Sequence, residues 1–253
     1  MTEVTTILAA ENLSLVRGSM NVLHSVDAQL EPGRITAIVG PNGAGKSSLL
    51  MALAGLLDPV EGRVTLGGRP IASLASRERA RLLGYLPQGG GIAWDVALET
   101  MVGLGRMPHR DSRKEPIDAA ISALELDHLR GRPVSRLSGG ETARALLARV
   151  LAGEPRWILA DEPLAALDLA HQLTLVSHLK NSAKSGTGIS IVLHDLALAM
   201  NHADHVIVLD KGKLAADAPP QEALSPDLIA RVWGVKVKWI GEPGGRALIA
   251  PTG

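Results

Sequence analysis

A glycine-rich octapeptide, residues 40–47, carries the clearest chemical signal in this sequence. It fits the pattern G-x-x-x-x-G-K-[ST], whose glycines let the backbone curl so that successive N–H groups point at phosphate oxygens. In this pattern Lys46 reaches the β- and γ-phosphates, and the hydroxyl of Ser47 binds Mg²⁺. The octapeptide therefore predicts a nucleoside triphosphate site. The loop consists of Gly40, Pro41, Asn42, Gly43, Ala44, Gly45, Lys46 and Ser47.

The elements around this loop are the ones that the pattern requires. Residues 34–39 form an apolar run typical of a buried strand, and residues 46–54 read as a helix. A strand before the loop and a helix after it are the setting in which the pattern binds phosphate. The alternative, a glycine-rich turn with an exposed lysine, has no need of that setting.

Two acidic residues follow a second apolar run, residues 157–160. In parallel α/β sheets, ligands bind at the carboxyl ends of the strands, where Asp161 and Glu162 are expected to lie. One carboxylate there can hold Mg²⁺ through its water shell, and a second can orient or deprotonate an attacking water. We assign Asp161 to the metal and Glu162 to the water. The alternative is a pair of solvated acids at the end of a strand.

The segment Leu-Ser-Gly-Gly-Glu, residues 137–141, precedes a helical pattern. Ser138 is a good N-cap and Glu141 follows three residues later, which is the spacing of a capping box. A helix N-terminus exposed by Gly139 and Gly140 can also bind an anion such as a γ-phosphate. These residues alone leave both interpretations open.

A histidine follows a third apolar run, residues 189–193. At the carboxyl end of a strand, His194 can contact a γ-phosphate and signal whether that phosphate is present. The alternative is a histidine that only caps the strand.

The order of the patterns predicts the fold class. Short β-like runs alternate with helical patterns, which indicates an α/β fold with a mostly parallel sheet and crossover helices. Between residues 90 and 152 the pattern becomes mainly helical, which we interpret as a helical insertion. The tail from about residue 221 has the pattern of a small appended element.

The composition excludes several other kinds of chemistry. The chain has 253 residues, with 26 Lys and Arg against 26 Asp and Glu, four Trp, one Tyr and no Cys. The lack of cysteine excludes disulfides, thiolate metal sites and a cysteine nucleophile. Zero formal charge and few aromatic residues argue against nucleic acid as a partner. No run of about 18 apolar residues and no secretory signal pattern is present, so we expect a soluble intracellular protein.

The loop at 40–47, the segment at 137–141 and the Asp161–Glu162 pair, in this order, resemble the ATP-binding subunit of an ABC transporter. The resemblance implies a P-loop NTPase core with an antiparallel β subdomain and an inserted helical subdomain. It also implies that residues 1–253 form a single nucleotide-binding domain. The expected divisions are the core (about 1–88 and 153–220), the helical subdomain (about 89–152) and a short C-terminal element (about 221–253).

The same resemblance implies roles for further residues. Gln88, at the end of Leu-Pro-Gln, resembles the Q-loop glutamine that touches Mg²⁺ beside Ser47 and Asp161. Asp168, at the end of residues 165–168, resembles the D-loop aspartate that couples the two subunits of a dimer. His194 resembles the switch histidine and joins Glu162 as a catalytic residue. Ser48 is included in the expected ATP site.

Family membership implies a mechanism and a set of partners. Two copies of the chain would sandwich two ATP molecules, with Ser138, Gly139, Gly140 and Glu141 acting in trans on the partner's ATP. ATP hydrolysis would drive transmembrane permease subunits, which a substrate-binding protein supplies with cargo. The expected location is the cytoplasmic face of the inner or plasma membrane, where the permease holds the chain peripherally.

The sequence departs from the family pattern at some positions. Arg17 stands where an aromatic residue usually stacks on adenine. A guanidinium can also stack on a base, so we expect Arg17 to contact ATP, with weaker discrimination between ATP and GTP. Ala165 replaces a frequent serine of the D-loop.

Residues 102–109, Val-Gly-Leu-Gly-Arg-Met-Pro-His, resemble a stretch of importers for iron siderophores, haem and cobalamin, and Trp94 suits that group. The alternative is a helix that packs only within its own subunit. The expected order of cargo is siderophore, then haem, then cobalamin. The alternative functions are an ABC exporter subunit, a soluble ABC ATPase of DNA repair or translation, and a P-loop small-molecule kinase.

Overall fold

The chain folds into two main sheets with helices between and around them. The computed structural model describes residues 6–89, 95–111, 113–165 and 167–250. Trp94, and Ala166 of the expected D-loop, lie outside these residues. The strands are β1 (Leu8–Arg17), β2 (Met20–Leu30), β3 (Ile35–Val39), β4 (Glu61–Leu66), β5 (Arg69–Pro70), β6 (Leu83–Leu86), β7 (Trp157–Asp161), β8 (Gly188–Val192), β9 (His205–Asp210), β10 (Lys213–Ala218), β11 (Lys238–Ile240) and β12 (Ala247–Ile249). The helices are α1 (Lys46–Leu53), α2 (Ser76–Leu82), α3 (Leu98–Gly103), α4 (Glu115–Ala123), α5 (Gly139–Ala152), α6 (Leu169–Lys184), α7 (Leu196–His202), α8 (Pro220–Ala223) and α9 (Pro226–Trp233).

The larger sheet has the strand order β10-β9-β3-β8-β7-β6. Its neighbouring strands are parallel except for β10, which runs antiparallel to β9. All residues of β3, β7 and β8 are buried, because alternate side chains enter two separate cores on the two faces of the sheet. These strands are therefore continuous apolar runs rather than alternating patterns. The predicted α/β fold is confirmed.

The smaller sheet is antiparallel, with the order β2-β1-β4-β5, and corresponds to the expected antiparallel part of the fold. Helix α1 packs between the two sheets. Its buried Leu49, Leu50 and Leu53 share one core with Leu15 of β1 and Leu23 of β2. This packing brings the β1–β2 hairpin next to the start of α1, and so next to the phosphate loop.

Helices α3, α4 and α5 pack on one another in the part of the chain between β6 and β7. Their shared core includes Val102 of α3, Ile121 of α4 and Leu147 of α5, all buried. The N-terminus of α5 is preceded by Ser138. The position of this helix therefore decides where the Leu-Ser-Gly-Gly-Glu segment lies.

Residues 102–109 contact their own chain extensively. Arg106 is only 4% exposed, and its guanidinium is paired with Asp111 and donates to Glu154 Oε2 over 2.6 Å. For Arg106, this packing agrees with the alternative interpretation, in which the segment packs only within its own subunit. Met107, by contrast, is 69% exposed. A role for the segment in partner choice stays a prediction.

The C-terminal part contains α8, α9 and the two-stranded sheet of β11 and β12. Trp233, Trp239 and Leu248 pack against the core that lies on one face of the large sheet. Helix α9 ends at Gly234, whose left-handed φ of 71° turns the chain towards β11. This element therefore rests directly on the α/β core.

Gly105 lets the backbone after α3 approach the backbone of α5. A Cβ atom at this position would overlap the carbonyl oxygen of Arg149. Because such overpacking forces the backbone to shift, we expect Gly105→Ala to lower the free energy of unfolding by about 1–3 kcal/mol. In the matched control Gly131→Ala, the new Cβ would meet nothing within 4 Å.

We expect that control to stay within about 0.5 kcal/mol of the parent protein. Urea unfolding of the parent and both variants measures the effect. Equal stability of the two variants would contradict the close approach at Gly105.

Candidate nucleotide site

At two positions of the phosphate loop, residues 40–47, both the backbone conformation and the available space require glycine. Gly40 and Gly45 have φ of 152° and 98°, in the region that favours glycine. A Cβ at Gly40 would overlap the carbonyl oxygen of Leu209, and one at Gly45 would overlap that of Val22. The loop is therefore wedged between β9 and β2, which fixes the β1–β2 hairpin beside it.

Lys46 begins α1 and directs its ammonium back over the loop. Its Nζ donates to the carbonyl oxygens of Gly40 (2.8 Å) and Pro41 (3.0 Å). Burial lowers the pKa of Lys46, and the carboxylates of Glu162 and Asp161 act against this effect. A partly desolvated ammonium attracts phosphate more strongly than one in bulk water does, because the local dielectric constant is lower.

Ser47 and Asp161 bring two oxygen groups together from distant parts of the chain. Ser47 Oγ, in the first turn of α1, donates to Asp161 Oδ1 at the end of β7 over 3.1 Å. Burial raises the pKa of Asp161, although the Ser47 hydrogen bond lowers it. One hydroxyl and one carboxylate suit Mg²⁺, which is usually bound by one or two carboxylates together with phosphates and water. Among the described residues, no group of three or more His, Cys, Asp or Glu is placed to hold a metal by itself.

Glu162 is held at both carboxylate oxygens. Its Oε1 is hydrogen-bonded to His194 Nε2, and its Oε2 accepts from Gln88 Nε2 over 2.8 Å. The backbone of Glu162 has φ of 51°, a left-handed conformation that is uncommon outside glycine. Strained backbone of this kind concentrates at functional sites. The structure thus brings Glu162, His194 and Gln88 together, with Gln88 on Glu162 rather than on the Ser47–Asp161 pair.

A cavity of about 700 Å³ opens over the phosphate loop. Its lining joins the loop to the β1–β2 hairpin at one end and to Glu162 and His194 at the other. Gly40 and Pro41 shape the loop but are absent from the described lining. The lining residues are Arg17, Met20, Val22, Asn42, Gly43, Ala44, Gly45, Lys46, Ser47, Ser48, Gln88, Glu162 and His194.

Met20 and Val22 are cavity residues that the sequence patterns do not indicate. Both belong to β2, and they reach the cavity because Val22 is packed against Gly45 of the loop. Met20 is 68% exposed at the end of the hairpin. No local pattern marks either residue, since their position follows from the contact between two separate elements.

The segment at 137–141 forms the predicted capping box. The Glu141 N–H donates to Ser138 Oγ (3.2 Å), and the Ser138 N–H donates to Glu141 Oε2 (2.7 Å). Gly139 and Gly140 form the first turn of α5. Gly139 lines a second cavity together with Gln88 and Glu162, and none of residues 138–141 belongs to the described lining of the first cavity.

Asp168 is the N-cap of α6. Its Oδ1 accepts from the backbone N–H of His171 (2.9 Å) and lies 2.8 Å from His171 Nδ1. The backbone hydrogen bond to His171 lowers the pKa of Asp168. This contact explains the local conformation, and the expected role in dimer coupling stays a prediction.

Comparison with known proteins places the chain among transport ATPases. The family profile described as "ABC transporter" matches residues 23–165. Hemin import ATP-binding protein HmuV of Pseudomonas putida is 44% identical, over 91% of this chain and 94% of that protein. Ferric enterobactin transport ATP-binding protein FepC of Escherichia coli is 37% identical, over 100% of this chain and 97% of that protein. Among solved structures, an inward-facing metal-chelate type ABC transporter superposes with a TM-score of 0.80 at 25% identity, covering 98% of each chain.

A phosphate loop at the carboxyl edge of a parallel sheet, with Asp161 and Glu162 beside it, defines a P-loop nucleoside triphosphatase. With the matches above, the chain belongs to the ABC transporter family. It is an ATP-binding subunit with ATPase activity, so the resemblance found from the sequence is confirmed. Within the described ranges, no helix combines the length and apolar character needed to cross a membrane.

The contacts of Glu162 lead to a prediction for Glu162→Gln. A glutamine cannot deprotonate water, so we expect ATP turnover to fall by about 100-fold or more. Nucleotide binding should persist, because the phosphate loop is unchanged. Steady-state hydrolysis and a nucleotide-binding titration measure the two quantities.

The matched control is Glu222→Gln, an exposed glutamate in α8. It should leave both turnover and binding unchanged. Parental turnover by Glu162→Gln would contradict the role of Glu162 as the base.

Proposed function

We propose that this chain is the ATP-hydrolysing subunit of an importer for haem. The observation that carries the proposal is its similarity, over nearly its whole length, to hemin import ATP-binding proteins. Residues 102–109 support the same group of importers. A ferric siderophore is the second candidate cargo, because the ferric enterobactin protein of E. coli aligns with the entire chain.

In this proposal the residues of the first cavity divide the work of phosphoryl transfer. Lys46 and the backbone N–H groups of the loop bind the phosphates. Glu162 orients and deprotonates the water that attacks the γ-phosphate, and His194 contacts that phosphate while holding Glu162 in place. When bound, Mg²⁺ would neutralise charge on the phosphate oxygens, and Ser47 and Asp161 are the side chains that would hold it. Gln88 donates a hydrogen bond to the Glu162 carboxylate and so contacts the residue that orients the water.

The second half of each ATP site comes from another copy of the chain. Residues 138–141 are absent from the described lining of their own chain's cavity, yet their helix N-terminus is suited to an anion. A sandwich of two copies would place this segment on the partner's ATP. Asp168, exposed at the start of α6, would lie close to the same interface.

Mixing two inactive variants tests this sandwich. Ser138→Arg blocks the anion-binding segment, and Lys46→Ala disables the phosphate loop, so each variant alone should be inactive. In a one-to-one mixture, half of the dimers are mixed and hold one intact site of two, so activity should recover to at most about one quarter of the parent.

ATP hydrolysis by each variant and by the mixture measures the recovery. A mixture no more active than the separate variants would contradict action in trans. A mixture as active as the parent protein would contradict the sandwich.

We also propose that Arg17 forms the platform for the nucleotide base. Its side chain is exposed, lines the cavity and, within the described part of the chain, has no hydrogen bond or ion pair. Its neighbours in the lining on the same hairpin, Met20 and Val22, carry no side-chain hydrogen-bonding group that could distinguish adenine from guanine. A guanidinium stacks on either purine, so this end of the cavity should discriminate weakly between ATP and GTP.

The prediction for Arg17→Ala is an equal loss for both nucleotides. An exposed cation over a ring contributes about 0.5–1 kcal/mol, which corresponds to a rise in KM of about two- to fivefold for ATP and for GTP. Inhibition by inorganic tripolyphosphate, which has no base, should not change.

Arg34→Ala is the control, because Arg34 is exposed and lies before the amino end of β3, opposite the loop. Unchanged KM values would contradict the platform. Weaker tripolyphosphate inhibition would show that Arg17 acts on the phosphates instead.

The remaining partners that we propose are permease subunits and a substrate-binding protein. We propose that permease subunits hold the chain peripherally at the cytoplasmic face of the membrane, and that a substrate-binding protein delivers the cargo. The exposed Met107, next to the buried Arg106, is the side chain of residues 102–109 best placed for contact with another protein.

Vesicle uptake tests the proposed cargo. A membrane pull-down with the chain identifies the permease, and the complex is then reconstituted with its substrate-binding protein and ATP. We expect ATP-dependent uptake of haem that is lost with Glu162→Gln. Uptake of a ferric siderophore without haem would replace haem by the second candidate, and export of either compound would contradict an importer.

A further inference from the structure

The C-terminal hairpin, β11 and β12, is joined to α7 by a specific pair of hydrogen bonds, next to a longer contact from Arg246 Nη1 to Met200 Sδ (3.7 Å). Asn201 Nδ2 donates to the carbonyl oxygen of Arg246, and the N–H of Arg246 donates to Asn201 Oδ1, both over 2.8 Å. The side-chain amide of Asn201 thus satisfies a backbone donor and a backbone acceptor just before β12. A contact that uses both ends of an amide fixes orientation as well as distance.

A second anchor fixes the hairpin independently of α7. The indole N–H of Trp239 in β11 donates to the carbonyl oxygen of Leu224 over 2.7 Å. Trp239 pairs with Leu248 across the hairpin, and both side chains pack on the main core. The hairpin is therefore held on the core mainly by the packing of these side chains, and Asn201 links it to α7.

Helix α7 leads from the hairpin directly to the catalytic cavity. The helix has seven residues and so spans about 10 Å. Its N-cap, Asp195, accepts hydrogen bonds from the N–H groups of Ala197 (2.7 Å) and Leu198 (3.1 Å). His194 immediately precedes this cap, so a rotation or shift of α7 would move His194 relative to Glu162.

The far end of α7 is also tied to α6. Lys180 Nζ donates to His202 Nδ1 over 3.1 Å. Burial and the Lys180 ammonium lower the pKa of His202, which favours the neutral imidazole that can accept this bond. Two neighbouring residues, Asn201 and His202, therefore hold the end of α7 that lies away from the cavity.

We propose that the C-terminal hairpin is a positioning element for His194, and that Asn201 is the positioning residue through which it acts. This inference rests on the role of His194 in the proposed function. The alternative is that the hairpin only covers apolar surface. The two differ in their effect on turnover, because loss of a cover lowers stability without altering the contact between His194 and Glu162.

The test variant is Asn201→Leu, which keeps a side chain of similar size and removes both bonds to Arg246. We expect kcat for ATP to fall by between about 3-fold and 100-fold, as for small misplacements of a catalytic group. The KM for ATP should stay unchanged, since neither Asn201 nor Arg246 belongs to the described lining of the cavity over the phosphate loop. Trp239→Phe is the matched control, because it removes a hydrogen bond that does not involve α7 and keeps an aromatic ring that packs the hairpin on the core. Its kcat should therefore equal that of the parent.

Two further measurements separate positioning from general stability. In the background of His194→Ala, Asn201→Leu should cause no additional loss of kcat, because both changes act on one contact. In NMR spectra, the imidazole resonance of His194, assigned with His194→Ala, should shift in Asn201→Leu and not in Trp239→Phe.

Several outcomes would overturn the inference. These are an unchanged kcat and His194 resonance in Asn201→Leu, an equal loss of kcat in Trp239→Phe, or an additive loss with His194→Ala. If His194→Ala itself kept parental turnover, the proposed role of His194 would fail together with the inference. If only Asn201→Leu had no effect, the role of His194 would stand and the inference alone would fail.

Discussion

The parallel register of β3, β8 and β7 determines where the phosphate loop, the two acidic residues and His194 lie. Ile38 of β3 is paired with Val192 of β8, and Val192 is paired with Asp161 of β7. The phosphate loop begins two residues after Ile38, and His194 lies two residues after Val192. Because the three strands are paired at the same level, the loop, the two acidic residues and the histidine leave the sheet at one edge. Shifting one strand by a single residue would also exchange its two buried faces, so both cores preserve the register.

At this edge the polar side chains are divided between the two acids. Glu162 is bonded to His194 and Gln88, while Asp161 is bonded to Ser47, so each acid has partners of its own. The Lys46 ammonium lies nearby, where burial lowers its pKa and the charges of both acids act against this effect. The positive field for a triphosphate is thus local, and it comes from Lys46 and the backbone N–H groups of the loop. A net charge of zero for the whole chain is compatible with such a site.

The sequence predicts the parts of the site that depend on local patterns. The phosphate loop, the buried strands that precede Asp161 and His194, and the Ser138–Glu141 box are each encoded within a few neighbouring residues. Contacts between distant segments are different, because no local pattern specifies them. Gln88 meets Glu162 across 74 positions, and Asn201 meets Arg246 across 45. Residues 102–109 are a similar case. Their resemblance to one group of importers predicts a role in partner choice, yet Arg106 is buried within its own chain. A local pattern does not show which neighbouring element will cover a side chain.

The central claim is that the aligned strand ends form a site for ATP and its metal ion. Its most direct test is a crystal structure of the full chain with Mn²⁺ and a non-hydrolysable ATP analogue, measured for anomalous scattering, because Mn²⁺ prefers the same oxygen ligands as Mg²⁺. We predict one anomalous peak beside Ser47 and Asp161, phosphates within the loop at residues 40–47, and the Glu162 carboxylate facing the γ-phosphate. Nucleotide bound away from this loop, or a metal peak away from Ser47 and Asp161, would contradict the account.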